Sequence, residues 1–337
     1  MRLKSTKTVL IWGFYDHGNI GDDIMAAMFA SQIEAIGHRP FIYTKNSRFA
    51  ELGFKTVEEF GECDPDLVLL GGGSIFLSSE KSSADSDTRF HRLCEFCETN
   101  SVPIIAASIG SDGVKCFDQL SDGRKRLFSS AMFKCAALRL RSDLTLLSAK
   151  RTYLPDIVLC TAFYRKTYAP QRTEPSEPHS VFLNLTRRAY PYAPLFLALS
   201  AIRKTCTFHS MAEPVYSTEI SLPFLRKLIA SDFWGTIQAI SKIDTMISSK
   251  LHPGIMALSL GAGFLPVRPR AKARAFVEDG IREGIIQERR LKALPMRQYQ
   301  LSEGASDPYW QACLWERYRD YLQSNIAEIQ SEHEIRK

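Results

Sequence analysis

Short apolar runs alternate along the chain with longer stretches whose apolar residues recur at helical spacing. Thr8–Phe14 (TVLIWGF) predicts a first strand. Asp22–Gly37 then carries Met25, Met28, Phe29, Ile33 and Ile36 on one stripe and predicts a helix. Phe41–Thr44, Leu67–Leu70, Pro103–Ser108 and Ala137–Leu140 predict further strands. They are brief and continuously apolar, without polar alternation, as strands buried on both faces are. Strand–helix alternation of this kind predicts a parallel sheet covered by helices on both sides.

The texture changes at 165–180, RKTYAPQRTEPSEPHS, where three prolines and mixed charge mark a linker. The alternation then restarts. Val181–Thr186, Cys206–His209 and Ile243–Ser248 predict strands, and Tyr192–Lys204 and His252–Leu260 predict helices. Gly263–Val267 predicts a last strand. The expected fold class is therefore α/β, with two doubly wound Rossmann-like domains facing an interdomain cleft. The expected boundaries are an N-terminal domain over 1–170, a C-terminal domain over 178–305, and a C-terminal helix over 306–337. Within that helix Trp310, Leu314, Tyr318, Leu322, Ile326 and Ile329 form one stripe, which predicts packing back on the N-terminal domain. A sharper reading puts Tyr309, Trp310 and Trp315 with Arg317 and Arg319 at the inner face of a membrane.

At 337 residues the chain has room for about two domains of ~150 residues each. Hydrophobic residues make up 45% and charged residues 24%, which excludes a disordered or fibrous protein. No apolar run approaches the ~20 residues of a membrane-spanning helix. The start, MRLKSTKTVLIWGF, reads as a strand rather than a signal peptide, so the expected location is the cytoplasm. The net charge of +6 suits an anionic substrate and is too mild for a nucleic-acid partner. Of the eight cysteines only Cys94 and Cys97 form a C-x-x-C pair, inside a helical pattern, and the reading is of buried thiols rather than a metal or redox site.

Candidate chemistry sits at strand ends. Gly13 to Asp23 (GFYDHGNIGDD) leads from the first strand into the first helix, with Asn19, Asp22 and Asp23 as polar groups. Glycines there admit a close backbone approach, and helix-start N–H groups favour anions. The bland alternative is a helix cap with Asp22 on the dipole. Gly71, Gly72, Gly73 and Ser74 follow the strand that starts after Asp66, and Ser108-Ile-Gly110 follows another. Open α/β sheets bind ligands at these carboxyl edges. In the second half Arg187 and Arg188 follow a strand, Lys250 and His252 lie in a strand-to-helix turn, and Lys272 comes after the next strand. Together the cations form a candidate anion clamp, with His252 as the side chain able to exchange a proton near neutral pH; the bland alternative for His252 is a satisfied core or cap histidine. Asp22, Asp23, Asp66 and Asp156 lie apart, so no metal site is expected.

Taken in order, Asn19-Ile-Gly21-Asp22, Asp66 to Gly73, Ser108–Gly110, Arg141-Ser-Asp143 with Ser148, Pro155-Asp156, the basic strand end at Arg187 and Arg188, and Lys250-Leu251-His252 with its downstream Lys resemble the landmarks of the polysaccharide pyruvyl transferases. Asp16 stands where that pattern has a leading glycine, and Lys250 where it has arginine. The landmarks cover residues 10 to 275. The resemblance implies a GT-B-like fold and transfer of the pyruvyl group of phosphoenolpyruvate (PEP) onto two hydroxyls of a sugar in exopolysaccharide synthesis, releasing phosphate and needing no cofactor. It implies His252, Arg187 and Lys250 as catalytic, with Arg188, Lys272 and Leu251 at the donor. Asn19, Asp22, Gly71, Gly72, Gly73, Ser74 and Ser108 then hold the acceptor, an oligosaccharide that is lipid-linked on the membrane reading. Two alternatives stand beside it. One is a nucleotide-sugar glycosyltransferase of GT-B fold, disfavoured because Glu278 has Ala271 rather than an acid seven positions before it. The other is a non-catalytic carbohydrate-binding relative.

Overall fold

The structure, a computed structural model, describes residues 6–15, 19–169, 180–184, 206–208, 233–290 and 297–335. The chain divides into two compact units. The first holds residues 1–16, 22–157 and 315–337, the second 17–21 and 158–314.

Seven strands build the sheet of the first unit: β1 (Thr8–Trp12), β2 (Arg39–Tyr43), β3 (Lys55–Val57), β4 (Leu67–Phe76), β5 (Ile104–Ser111), β6 (Phe133–Leu138) and β7 (Lys150–Tyr153). They lie in the order β3-β2-β1-β4-β5-β6-β7, every pair parallel. The central strands β1, β4 and β5 are buried almost throughout, which explains why they read as unbroken apolar runs. Helices α1 (Ile20–Ala35), α2 (Ala84–Thr99) and α3 (Asp122–Ser129) connect them. Helix α1 begins where Asn19 Oδ1 accepts from the Gly21 N–H at 3.3 Å, an N-cap bond, with Asp22 and Asp23 in the first turn on the positive end of the dipole. Cys94 and Cys97 lie on the inner face of α2 within the core cluster formed by Trp12, Phe76, Phe90 and Leu127.

The second unit has a six-stranded sheet in the order β12-β13-β11-β10-β8-β9. Its members are β8 (Ser180–Asn184), β9 (Cys206–Phe208), β10 (Ile243–Ser248), β11 (Gly263–Pro266), β12 (Ile286–Arg290) and β13 (Arg297–Leu301). Strands β8 to β11 are parallel, while β12 and β13 are antiparallel additions at one edge. The expectation that Gly263–Val267 is the last strand is thereby corrected. IQERR is charged and RQYQL polar, so neither reads as a buried strand; β12 is the edge of the sheet and β13 lies beside it. Helices α4 (Thr161–Tyr168), α5 (Phe233–Ile240), α6 (Leu251–Ser259) and α7 (Ala271–Arg282) belong to this unit. The predicted helix Tyr192–Lys204 and most of the Pro-rich stretch lie outside the described residues.

Helix α8 (Pro308–Ile335) begins in the second unit and continues in the first from Trp315. In the first unit the Tyr318 hydroxyl donates to the Pro155 carbonyl at 2.9 Å, the Tyr321 hydroxyl to the Ala106 carbonyl at 2.8 Å, and Gln32 Nε2 to the Trp315 carbonyl at 2.8 Å. Trp315 is buried, so it cannot belong to the membrane-facing set proposed with Tyr309 and Trp310; its ring serves the core. No helix among the described residues is long and apolar enough to cross a membrane.

Candidate functional site

In the first unit the motif residues gather at the carboxyl ends of β1, β4 and β5, but most of them are spent on building that edge. Gly71, Gly72 and Gly73 do not follow β4 as a loop; they lie inside it, and β4 keeps pairing with β5 out to Phe76 and Ser111. Each glycine has a packing reason. A Cβ on Gly71 would fall 2.7 Å from the Tyr15 hydroxyl, which donates to the Gly71 carbonyl. A Cβ on Gly72 would fall 2.5 Å from the Met25 sulfur, and Gly72 also has a φ of +79°. Gly73, at φ +89°, leaves 3.3 Å between its Cβ position and Asp22 Oδ1, which brings the first two landmark motifs into contact.

Ser108 is fully buried at a φ of +55°, a conformation that costs a non-glycine residue about 1–3 kcal/mol and is held only by its surroundings. Its hydroxyl accepts from the Ile157 N–H at 3.2 Å and donates to Asp156 Oδ1 at 3.5 Å. That engagement helps to order the edge of the sheet. Asp156 pairs with Arg139 Nη1 at 2.9 Å, both side chains being wholly buried, and Arg139 Nη2 reaches the Ser74 hydroxyl at 3.4 Å. Beside them Asp143 accepts from the Ser111 N–H at 2.7 Å and its hydroxyl at 2.6 Å. Burial raises the Asp143 pKa above the usual carboxylate value, although the Ser111 hydrogen bonds and Arg139 pull the other way. Among the sequence-predicted acceptor residues, Asn19, Asp22 and Ser74 remain half-buried and the rest are interior. The Arg139–Asp156–Ser74 chain was not foreseen, although Arg141-Ser-Asp143 and Pro155-Asp156 pointed to its neighbourhood.

In the second unit the strand register defines a common level. Ser248 at the end of β10 pairs with Asn184 at the end of β8 and with Pro266 at the end of β11. The turns that follow these three strands therefore leave from one carboxyl edge. Lys250 caps α6 with extended backbone (φ −102°, ψ 148°), and its N–H donates to the Ser248 hydroxyl at 3.0 Å. Leu251 and His252 form the first turn of α6, where main-chain N–H groups lack intrahelical acceptors and the dipole is positive. Lys272 occupies the first turn of α7 after β11, half-buried. Arg187 and Arg188 follow β8 and lie outside the described residues. The Leu251 side chain is 2% exposed and packs in the core, while its backbone lies at the edge.

His252 is 4% exposed. Gly21, which belongs with the second unit, lies directly against it: a Cβ on Gly21 would stand 2.1 Å from the His252 Cβ and 2.3 Å from Nδ1. Only glycine fits there. The third glycine of the first loop was read as a turn or ligand-approach residue, and its physical reason is this imidazole. Among the described residues no group of three or more His, Cys, Asp or Glu could hold a metal ion.

These two Rossmann-like units match solved structures over most of the chain. A glycosyltransferase of kitacinnamycin covers 97% of this chain and 100% of its own length at 12% identity, with a TM-score of 0.52. A UDP-GlcNAc 2-epimerase from Neisseria meningitidis, bound to UDP-GlcNAc, covers 82% and 86% at 11% identity and a TM-score of 0.53. The UDP-GlcNAc 2-epimerase of Methanocaldococcus jannaschii covers 81% and 86% at 9% identity and a TM-score of 0.51. No protein-family model and no curated protein matches the sequence. The fold is thus the two-domain, Rossmann-like GT-B fold.

Proposed function

We propose that the protein is a sugar-modifying transferase, and that its donor chemistry is pyruvyl transfer from PEP onto a sugar acceptor. The observation that carries this reading is His252 in the first turn of α6, pressed against the glycine of Asn19-Ile-Gly21-Asp22, with Lys250 one residue before the helix. PEP has a carboxylate, a phosphate and a methylene carbon that must gain a proton. His252 supplies that proton to the methylene while a sugar hydroxyl adds to the enol carbon, and the hydroxyl's own proton passes back to the imidazole. Lys250, Lys272 and the basic pair Arg187 and Arg188 offset the negative charge, helped by the N–H groups at the start of α6. A second hydroxyl then displaces phosphate from the same carbon, and the products are a cyclic ketal and inorganic phosphate. Asn19, Asp22 and Ser74 are the half-buried polar groups proposed for the acceptor.

A second reading, nucleotide-sugar glycosyl transfer, is favoured by the solved neighbours, which are a glycosyltransferase and UDP-GlcNAc 2-epimerases. They support sugar chemistry on this fold and do not favour PEP; the order of the sequence motifs does. The two donors leave different products. Purified protein with PEP and a panel of oligosaccharides is expected to release phosphate, and His252→Ala to lower that rate ~10²–10⁴-fold, the size of a general-acid contribution. Release of a nucleoside diphosphate from a sugar nucleotide, with none of phosphate from PEP, would replace the first reading by the second.

A further inference from the structure

We propose that the second unit carries a separate subsite for an acidic sugar chain, at the end of α6 opposite His252. It rests on the reading of the protein as a sugar-modifying transferase. The site is a cavity of about 970 Å³ walled by α4, α5, the last turn of α6 and the start of α8. That volume lies at the upper end of ligand pockets. Ser259 at the cavity lies seven helical steps beyond His252, roughly 10 Å along the axis.

Its frame is rigid. The Gln311 side chain, 3% exposed, accepts from the Phe163 N–H at 3.1 Å and the Ser259 hydroxyl at 3.3 Å, and donates to the Ser259 carbonyl at 2.9 Å. The Ser259 hydroxyl also accepts from the Ala162 N–H at 3.0 Å. These bonds fix α4, α6 and α8 to one another before any ligand arrives, which removes part of the ordering cost of binding.

Its lining has the chemistry of saccharide recognition. Tyr309 offers a ring that is 75% exposed, an unusual state for a large aromatic side chain without a partner surface. Trp234 lines the same cavity and is held flat against Tyr164 at 5.6 Å between centroids and 22° between planes. The C–H face of a pyranose stacks on such rings, while Gln238, Ser241 and Thr167 offer partners to its hydroxyls. Arg165, positioned by the Gln238 side-chain oxygen, and the exposed Lys166 add two positive charges. None of the described lining residues is Asp or Glu. A neutral sugar needs no such bias; a uronate or ketal-bearing chain does.

The test uses the full-length protein with trigalacturonate and, as the neutral control, maltotriose, followed by calorimetry. Trigalacturonate is expected to bind at least 10-fold more tightly than maltotriose. Tyr309→Ala and Lys166→Ala, both at exposed positions, should each weaken it about 5- to 10-fold, and His252→Ala should leave it unchanged. In transfer assays Tyr309→Ala should raise KM for a long acidic acceptor without changing kcat. Equal affinity for the two trisaccharides, no binding of either, or loss of binding in His252→Ala together with none in Tyr309→Ala would overturn the subsite. Persistence of His252-dependent phosphate release in those cases keeps the transfer reading, whereas intact trigalacturonate binding with no transfer from any donor removes the transfer reading alone.

Discussion

The two units use their motif residues in opposite ways. In the first unit Gly71, Gly72, Ser108, Asp143 and Asp156 are interior, and their polar atoms are consumed by Tyr15, Ile157, Ser111 and Arg139. In the second unit the corresponding edge leaves Lys250 and Lys272 half-buried beside the first turns of α6 and α7. A motif residue therefore means different things on the two sheets. On the all-parallel seven-stranded sheet it holds the strand ends in unusual backbone positions. On the six-stranded sheet Leu251 and His252 are buried as well, and the half-buried groups at the edge are the cations Lys250 and Lys272. Substitutions in the first unit should accordingly act on stability first, and those in the second on turnover.

The largest effect is expected from Asp156→Ala. Removing this carboxylate leaves the wholly buried Arg139 guanidinium without its 2.9 Å partner and takes away the acceptor of the Ser108 hydroxyl. Breaking one side of a buried ion pair costs about 3–5 kcal/mol. Chemical denaturation should show that loss as a lowered midpoint with an unchanged slope. A mild effect on stability with a large loss of turnover would mean that Asp156 touches substrate, and the contrast between the units would fail.

Gly21→Ala comes next and probes the other side of the contrast. The added methyl would stand 2.1 Å from the His252 Cβ, so the ring or the start of α1 has to shift. Overpacking of this kind costs about 1–3 kcal/mol. Turnover should fall by more than that stability loss explains, because the displaced group is the proposed proton donor. Gly37→Ala is a useful control at a glycine with nothing within 4 Å, where only the φ of +84° is strained.

Much of this arrangement was legible in the sequence, and the gaps have physical causes. Strand β10 was readable to its boundaries as Ile243–Ser248, and the turn into α6 with it, since a buried strand followed by a helix start leaves a clear change of period. Strands β3 and β7 were not, because they are the outermost strands of their sheet, and Lys55-Thr-Val57 and Lys150–Tyr153 keep charge facing water. The glycine run misled in a specific way. Three glycines normally end a strand, but here Tyr15 and Met25 occupy the missing side-chain space and β4 continues. The contact of Gly21 with His252 joins positions far apart in the chain, and no local pattern encodes it. Arg139 was invisible because ALRLRSD reads as the end of an apolar strand, with nothing to show that its guanidinium turns inward toward Asp156.

The smallest effect separates a buried thiol in the first unit from an exposed one. Cys94 lies in the core with its Sγ 3.3 Å from Glu98 Oε1, and burial, then the Glu98 interaction, pushes its pKa up from about 9 to about 11. Cys116 is exposed. In the unfolded chain the Cys94 thiol ionises near pH 9, whereas in the fold it holds its proton to about pH 11. Between those values the unfolded state has released a proton that the folded state keeps. Stability contributed by the neutral thiol is therefore intact below pH 9 and declines as pH rises toward 11. Thermal midpoints of the wild type should drop more between pH 8 and pH 10.5 than those of Cys94→Ala. Iodoacetamide should label Cys116 rapidly at pH 8 and leave Cys94 untouched, since only the thiolate reacts and only an opened core admits the reagent. Rapid labelling of Cys94 at pH 8 would mean that α2 opens readily and that the core packing of the first unit does not protect it.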